Sequence, residues 1–225
     1  MSAAVVLVAA GSGTRVGASS NKVLLELDGA PLLVRSVRAA LSVPEVTRLV
    51  LVCRPGDESE VQAAVAPLLG RREALLVPGG ASRHVSEWHG IHALAAEIEG
   101  DEIDVVAVHD AARPLAGPDL FAATITAARE HGGAVPVRQL RDLLTTDLQA
   151  PGPDLVAVQT PQAFRAPALL EAHRRAAEDG FEGTDTAAVV ERHADLRVVG
   201  VPGSATNLKV TFPEDVALAA LLIGR

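Results

Sequence analysis

The sequence has no tyrosine, one tryptophan and one cysteine, and aromatic residues make up 2% of its 225 positions. Each shortage closes off a chemistry. The lone cysteine, Cys53, excludes internal disulfides and makes a cysteine zinc site implausible; it reads as a small apolar residue ending a strand. So few rings offer little platform for stacking single-stranded bases. Positive charge is also scarce: 20 Lys and Arg against 28 Asp and Glu give a net charge of −8, a field that repels nucleic acid and anionic lipid. No apolar run approaches the ~20 residues that span a bilayer, and the opening MSAAVVLVAAG lacks the basic start of a signal peptide. The expectation is a cytoplasmic protein with small-molecule partners, no nucleic acid and no membrane. An anionic ligand then has to be met by a local concentration of positive charge.

What is present is a hydrophobic content of 48%, enough for a substantial core. With no long linker and no repeat of 20–50 residues, one domain over 1–225 is expected. A protruding arm at about 138–160 contains the loop-rich stretch TTDLQAPGPD. Short apolar runs alternate with helix-period segments. Strands are predicted at 4–10, 48–53, 73–78, 104–110, 133–137, 196–201 and 207–212, and helices at 31–41, 57–69, 82–98, 117–132, near 167–178, 184–193 and 213–223. Repeated strand–helix units predict an α/β fold with a mostly parallel, twisted sheet covered on both faces. Ligands of such sheets bind at the carboxyl ends of the strands, where the segments 11–22, 79–86 and 110–113 fall.

The stretch AAGSGTRVGASSNKVLLEL, residues 9–27, looks like a phosphate loop. A dinucleotide fingerprint needs G-x-G-x-x-G running straight into a helix. Gly11 and Gly13 fit, but Gly17 comes one place late, the helix begins only near residue 31, and the second strand ends in Arg54 instead of an acid. That argues against an NAD(P)-dependent oxidoreductase. Walker A requires Gly-Lys-Ser/Thr, whereas Lys22 lies between Asn21 and Val23. What remains is a long glycine-rich loop whose amides can wrap a triphosphate while Arg15 and Lys22 reach in; its plain alternative is a surface loop with solvated charges. HDAARP then places Asp110 just past a strand, suited to Mg²⁺ or a ribose hydroxyl, or simply to a turn. NLKVT carries Lys209 with Asn207 on the same face if the segment is a strand.

Six segments in order, AAGSGTRVGASSNK, VPGGASRHVS, HDAARP, QTPQAF, GTDTAAVVE and NLKVTFPEDVALA, resemble the cytidylyltransferases that make CDP-polyols, above all the 2-C-methyl-D-erythritol 4-phosphate cytidylyltransferase family of the non-mevalonate isoprenoid pathway. The resemblance covers nearly the whole chain. It implies a Rossmann-like nucleotidyltransferase fold (GT-A-like), a homodimer joined through the arm, and CTP and a polyol phosphate as substrates with Mg²⁺. It further implies that Ala9, Ala10, Gly11, Gly13 and Ala111 line the nucleotide, that Gly80 and Ser86 recognise cytosine, and that Arg15, Lys22 and Lys209 hold the phosphates. Asp110 would sit between ribose, metal and acceptor, with Asn207 as a second metal ligand, and Arg113, Thr160 and Thr184 would face the polyol phosphate. A phosphate monoester has its second pKa at ~6 and is already an anionic nucleophile at neutral pH, so positioned cations are needed and a general base is not. Charges on both sides of the reacting phosphorus argue against a non-catalytic nucleotide binder.

The arm departs from the family pattern. An Asp-Thr pair followed by a basic residue is replaced by Asp142, Leu143 and Thr145, and a later arginine falls near Gly152. Arg138 and Arg141 are the expected substitutes. The departures leave open a paralogue with another acceptor, such as ribitol 5-phosphate. Trp88 stands where a small or aliphatic residue is commoner. His84, His89 and His92 lack the i, i+4 spacing of a helical metal pair and no acidic cluster joins them, so core or surface placement is expected. His109 is expected to orient the Asp110 turn.

Overall fold

The computed structural model describes residues 1–11, 21–140, 147 and 155–223. The chain opens with β1 (Ala3–Ala9), followed after a 3-10 turn (Lys22–Leu24) by the short hairpin β2 (Glu26–Leu27) and β3 (Ala30–Pro31). Then come α1 (Leu32–Leu41), β4 (Val46–Cys53), α2 (Glu58–Leu69), β5 (Ala74–Pro78), α3 (Arg83–His92) and α4 (Ala95–Glu99). The second half runs through β6 (Val105–Asp110), α5 (Pro118–His131), β7 (Gly132–Gln139), β8 (Val156–Val158), β9 (Gln162–Arg165), α6 (Ala166–Asp179), α7 (Thr186–His193), β10 (Arg197–Pro202) and α8 (Pro213–Ile223).

One sheet runs in the order β10-β7-β9-β6-β1-β4-β5, with β8 added along β7. β1 pairs in parallel with β4 and β6, as a near-continuous apolar run must when both its faces are covered. β9 is antiparallel to both β6 and β7. Two-residue alternation along β1 sends Ala3, Val5 and Leu7 to one face, where they meet Leu33 and Val37 of α1 and Phe121 and Ile125 of α5. Ala4 and Val6 go to the other, against Ile91 of α3, Leu169 of α6 and Val189 of α7. A Cβ on Gly90 would lie 2.5 Å from Val6 Cγ1 and 2.7 Å from Val52 Cγ2, so the glycine is what lets α3 settle onto the sheet.

A smaller cluster of Leu27, Leu32, Val210 and Ala219 packs α8 against the β2–β3 hairpin. It brings the late segment 207–212 beside the early loop, which matters for the site. That segment is not the strand that its alternation predicts. It crosses beyond the carboxyl end of β6, where Val210 N–H donates to Ala112 O at 2.8 Å, and forms no ladder. The helix predicted over 82–98 is two: the last turn of α3 tightens, Leu94 N–H donating to Ile91 O at 3.0 Å, and turns Leu94 fully into the core before α4 begins. β8 and β9 were not separable from irregular chain in the sequence, being only three and four residues long. Residues 141–146 and 148–154 of the expected arm lie outside the described residues; the β7–β8 pairing frames its base.

Candidate active site

β1, β4, β5 and β6 run parallel, so their carboxyl ends share one edge. The residues that follow them build a recess of about 410 Å³ lined by Ala10, Gly11, Lys22, Gly80, Ser86, Asp110 and Lys209 among others. Asn21 sets one wall. Its amide donates to Ala9 O at 2.8 Å and Asp57 Oδ2 at 2.9 Å, while its oxygen accepts from Val23 N–H. The 3-10 turn so capped directs Lys22 Nζ to Val210 O, 3.1 Å away. The opposite wall is the turn after β5. Ser86 Oγ accepts from Gly80 N–H at 3.0 Å and donates to Ser82 O at 2.9 Å, and Ser82 caps α3 through Val85 N–H. A Cβ on Gly80 would fall 2.2 Å from Val85 Cγ1, so this turn closes only with glycine.

A second recess of about 150 Å³ opens beside the first, lined by Arg113, Gln159, Thr160, Gln162, Thr184 and Asp185. The two share Arg83, Asp110 and Lys209. Asp110 is the hub. Its Oδ1 accepts from Arg83 Nε at 3.1 Å, and its Oδ2 lies 2.7 Å from Lys209 Nζ and 3.9 Å from Arg113 Nε. Burial alone would raise the Asp110 carboxyl; the charges of Arg83, Lys209 and Arg113 overcome it and hold the group well below the usual carboxylate range. The carboxylate is therefore ionised, and three cations, Arg83, Lys209 and Arg113, converge on it. Arg83 also pairs with Glu87, whose carboxyl burial pushes up to about 7.

Beneath the hub, Asp110 N–H donates to Thr160 Oγ1 at 3.0 Å, and the Thr160 hydroxyl sits 3.0 Å from His109 Nδ1. Arg113 O, a carbonyl, can only accept, so His109 Nε2 carries the proton and donates to it at 3.3 Å, and in the neutral ring Nδ1 accepts from the Thr160 hydroxyl. Burial lowers the His109 pKa to about 4, so the ring is neutral and every nitrogen is used. His109 does orient the Asp110 turn, and with it the carbonyl of Arg113.

Of the residues that the sequence singles out, Ala10, Gly11, Lys22, Gly80, Ser86, Asp110 and Lys209 meet in the larger recess, and Arg113, Thr160 and Thr184 in the smaller. Ala9 and Ala111 line neither: both are buried in the sheet core, and Ala112 lines the recess instead. Asn207 also lines neither. It is a buried brace, its side-chain amide donating to Thr160 O at 3.0 Å and its main-chain carbonyl accepting from Arg113 Nη1 at 2.8 Å. Arg138 is exposed on β7, paired with Ala157 of β8, and reaches neither lining. Gly13, Arg15 and Arg141, with Asp142, Leu143, Thr145 and Gly152, lie outside the described residues. Sequence reasoning missed Arg83, which bridges Asp110 and Glu87. Its one signal is its place just after the capping Ser82, on a helix that opens at the ligand edge.

The family model for 2-C-methyl-D-erythritol 4-phosphate cytidylyltransferase matches residues 3–225. The 2-C-methyl-D-erythritol 4-phosphate cytidylyltransferase of Acidobacterium capsulatum is 39% identical, with 97% of this chain and 96% of that one covered. Two solved structures are similar throughout. The 4-diphosphocytidyl-2C-methyl-D-erythritol synthase from Anaerococcus prevotii has a TM-score of 0.84 at 26% identity, covering 100% of this chain and 96% of its own. The 2-C-methyl-D-erythritol 4-phosphate cytidylyltransferase from Thermus thermophilus has a TM-score of 0.77 at 30% identity, covering 100% of both. A mostly parallel sheet, a carboxylate ringed by three cations between two recesses, and these likenesses along the whole chain agree: the chain belongs to the 2-C-methyl-D-erythritol 4-phosphate cytidylyltransferase family.

Proposed function

We propose that this chain joins CTP to 2-C-methyl-D-erythritol 4-phosphate, giving the CDP-polyol and pyrophosphate. The observation that carries the reading is the sharing of Arg83, Asp110 and Lys209 by both recesses. A nucleotide in the larger and a phosphate monoester in the smaller meet over those three side chains. An oxygen of the acceptor phosphate, anionic at neutral pH, forms a bond to the α-phosphorus of CTP. The bond from that phosphorus to the bridging oxygen breaks, and pyrophosphate leaves with the electron pair. Lys22 and Lys209 offset the charge that builds on the α-phosphate and the leaving group, and Arg113 holds the acceptor phosphate.

Cytosine is read by Ser86. One lone pair of its Oγ accepts from Gly80 N–H and its proton goes to Ser82 O, which leaves one lone pair for the exocyclic amine of cytosine. Uracil presents a carbonyl there and is refused.

Asp110 fits Mg²⁺, being an ionised carboxylate where the two recesses meet. Asn207 lies outside both linings, and its side-chain oxygen has no hydrogen-bond partner among the described residues. When bound, the ion adds positive charge at the phosphate oxygens. The same reading includes a homodimer through the arm, whose base exposes Leu155 and Val158.

Pyrophosphate release tests the proposal, with CTP, UTP, ATP or GTP and Mg²⁺ against methylerythritol 4-phosphate, ribitol 5-phosphate and related polyol phosphates. The expected result is turnover with CTP and methylerythritol 4-phosphate. Turnover with ribitol 5-phosphate alone assigns a different acceptor, and silence with all of them contradicts the reading.

A further inference from the structure

Behind the cleft, α3 and α6 bury a cluster that the transfer reaction does not use. His84 and Glu87 are three residues apart on α3 and share a face; His173 meets them from α6. Glu87 and His173 are wholly buried and His84 is 7% exposed. Each brings a metal-ligating atom within 4.8 Å of the other two. In each, one polar atom has no hydrogen-bond partner among the described residues: His84 Nδ1, Glu87 Oε2 and His173 Nε2. Buried polar groups left so cost about 1–3 kcal/mol apiece, a cost that one cation held among them would remove.

We propose that His84, Glu87 and His173 form a binding site for a divalent cation of the zinc class, tying α3 to α6. Two imidazole nitrogens and one carboxylate oxygen, with a position left for water, are a zinc donor set. Zinc bonds of about 2.0–2.2 Å place neighbouring ligand atoms roughly 3.4 Å apart; the His84 and His173 rings stack with planes 8° apart, so closure takes ring rotation together with side-chain shifts of about an ångström.

The surroundings are arranged for it. His173 Nδ1 donates to Leu169 O at 3.1 Å, which fixes the tautomer whose Nε2 carries the lone pair. Thr186 Oγ1 donates to Glu87 Oε1 at 2.9 Å, and Arg83 pairs with the same oxygen, so Oε2 is the one left to a metal. Trp88 stacks beside His173, with ring centroids 6.4 Å apart, as an apolar wall. Through Arg83 the site is one ion pair away from Asp110.

Metal content and spectroscopy test this without reference to turnover. The full chain is stripped with chelator, then titrated with Zn²⁺, and separately with Co²⁺ as a visible probe, in excess Mg²⁺. The expected result is about one tightly held Zn²⁺ per chain, a Co²⁺ spectrum of low coordination number, and a higher thermal midpoint with Zn²⁺. His84→Ala and His173→Gln each weaken zinc binding by more than about 100-fold, since loss of an outer partner alone costs 10–100-fold. If His173→Gln does not fold, His84→Ala, at the first turn of α3, decides. Equal retention by the wild type and the folded variants, or none by the wild type, overturns the site and leaves the three groups bridged by water.

Discussion

Lys209 Nζ lies 2.7 Å from Asp110 Oδ2 and so joins the late segment of the chain to the end of β6. The carboxylate holds the ammonium at the mouth shared by both recesses, while about a third of the lysine side chain stays open to solvent. On the other side of the larger recess, Lys22 Nζ is fixed by Val210 O, the carbonyl of the residue next to Lys209. The hydrophobic contact of α8 with the hairpin therefore sets both lysines at once. Positions fixed before substrate arrives cost no reorganisation at the moment of reaction.

Arg83 serves two carboxylates, Asp110 through Nε and Glu87 through Nη1. A lysine cannot reproduce that fork. Arg83→Ala leaves Glu87 buried without its cation, and a stability loss of roughly 3 kcal/mol is expected. The double variant Arg83→Ala/Glu87→Ala regains part of it, as coupled residues do. Urea unfolding of Arg83→Ala, Glu87→Ala and the double variant in chelator checks this; additive losses would show that the pair is not coupled.

Ser86→Ala removes the acceptor offered to the cytosine amine. A drop of about tenfold in kcat/KM for CTP is expected, the worth of one hydrogen bond, with little change for UTP. Parallel kinetics with the two nucleotides decide it. An unchanged CTP/UTP ratio means that Ser86 does not read the base.

His109 makes stability depend on pH. Its pKa is about 4 when buried against an ordinary 6.5, so between those values the unfolded chain binds more protons and stability rises with pH. The contribution is complete above pH 6.5 and is lost as the pH falls through 4; it amounts to at most about 3 kcal/mol. Asp110, with its pKa depressed, adds stability that is lost only below its ordinary 3.8. Glu87, raised to about 7 from 4.5, acts in the opposite sense between those values. The difference between wild type and His109→Asn isolates the histidine. Urea midpoints from pH 4.5 to 7.5 in chelator are expected to show a shallower acid loss in the variant; parallel curves would contradict a neutral buried ring.

The legible parts were those with a local signature. The apolar run of β1 and the alternating strands and helices gave the sheet, because covered parallel strands carry no polar face. Asp110 and Lys209 stood out as charges beside apolar runs, although Lys209 sits on irregular chain and not on the strand expected there. Arg83 was not legible: its partner Asp110 lies two elements further along the chain, and nothing in RHVSEWHGIH announces that meeting. The cluster of His84, Glu87 and His173 was hidden for the same reason, since its third member belongs to another helix. Alternation placed Asn207 on a strand face, whereas it sits on irregular chain with its amide donating to Thr160 O and its side-chain oxygen without a hydrogen-bond partner among the described residues.

The central claim is that cations fixed from both ends of the chain stabilise the charge that develops during transfer. Turnover of Lys22→Ala and of Lys209→Ala, at saturating CTP and acceptor, tests it most directly. The account predicts that kcat falls by ~10²–10³ in each while both variants keep the wild-type fold, the usual loss for one preorganised donor. Near wild-type kcat in both would contradict it.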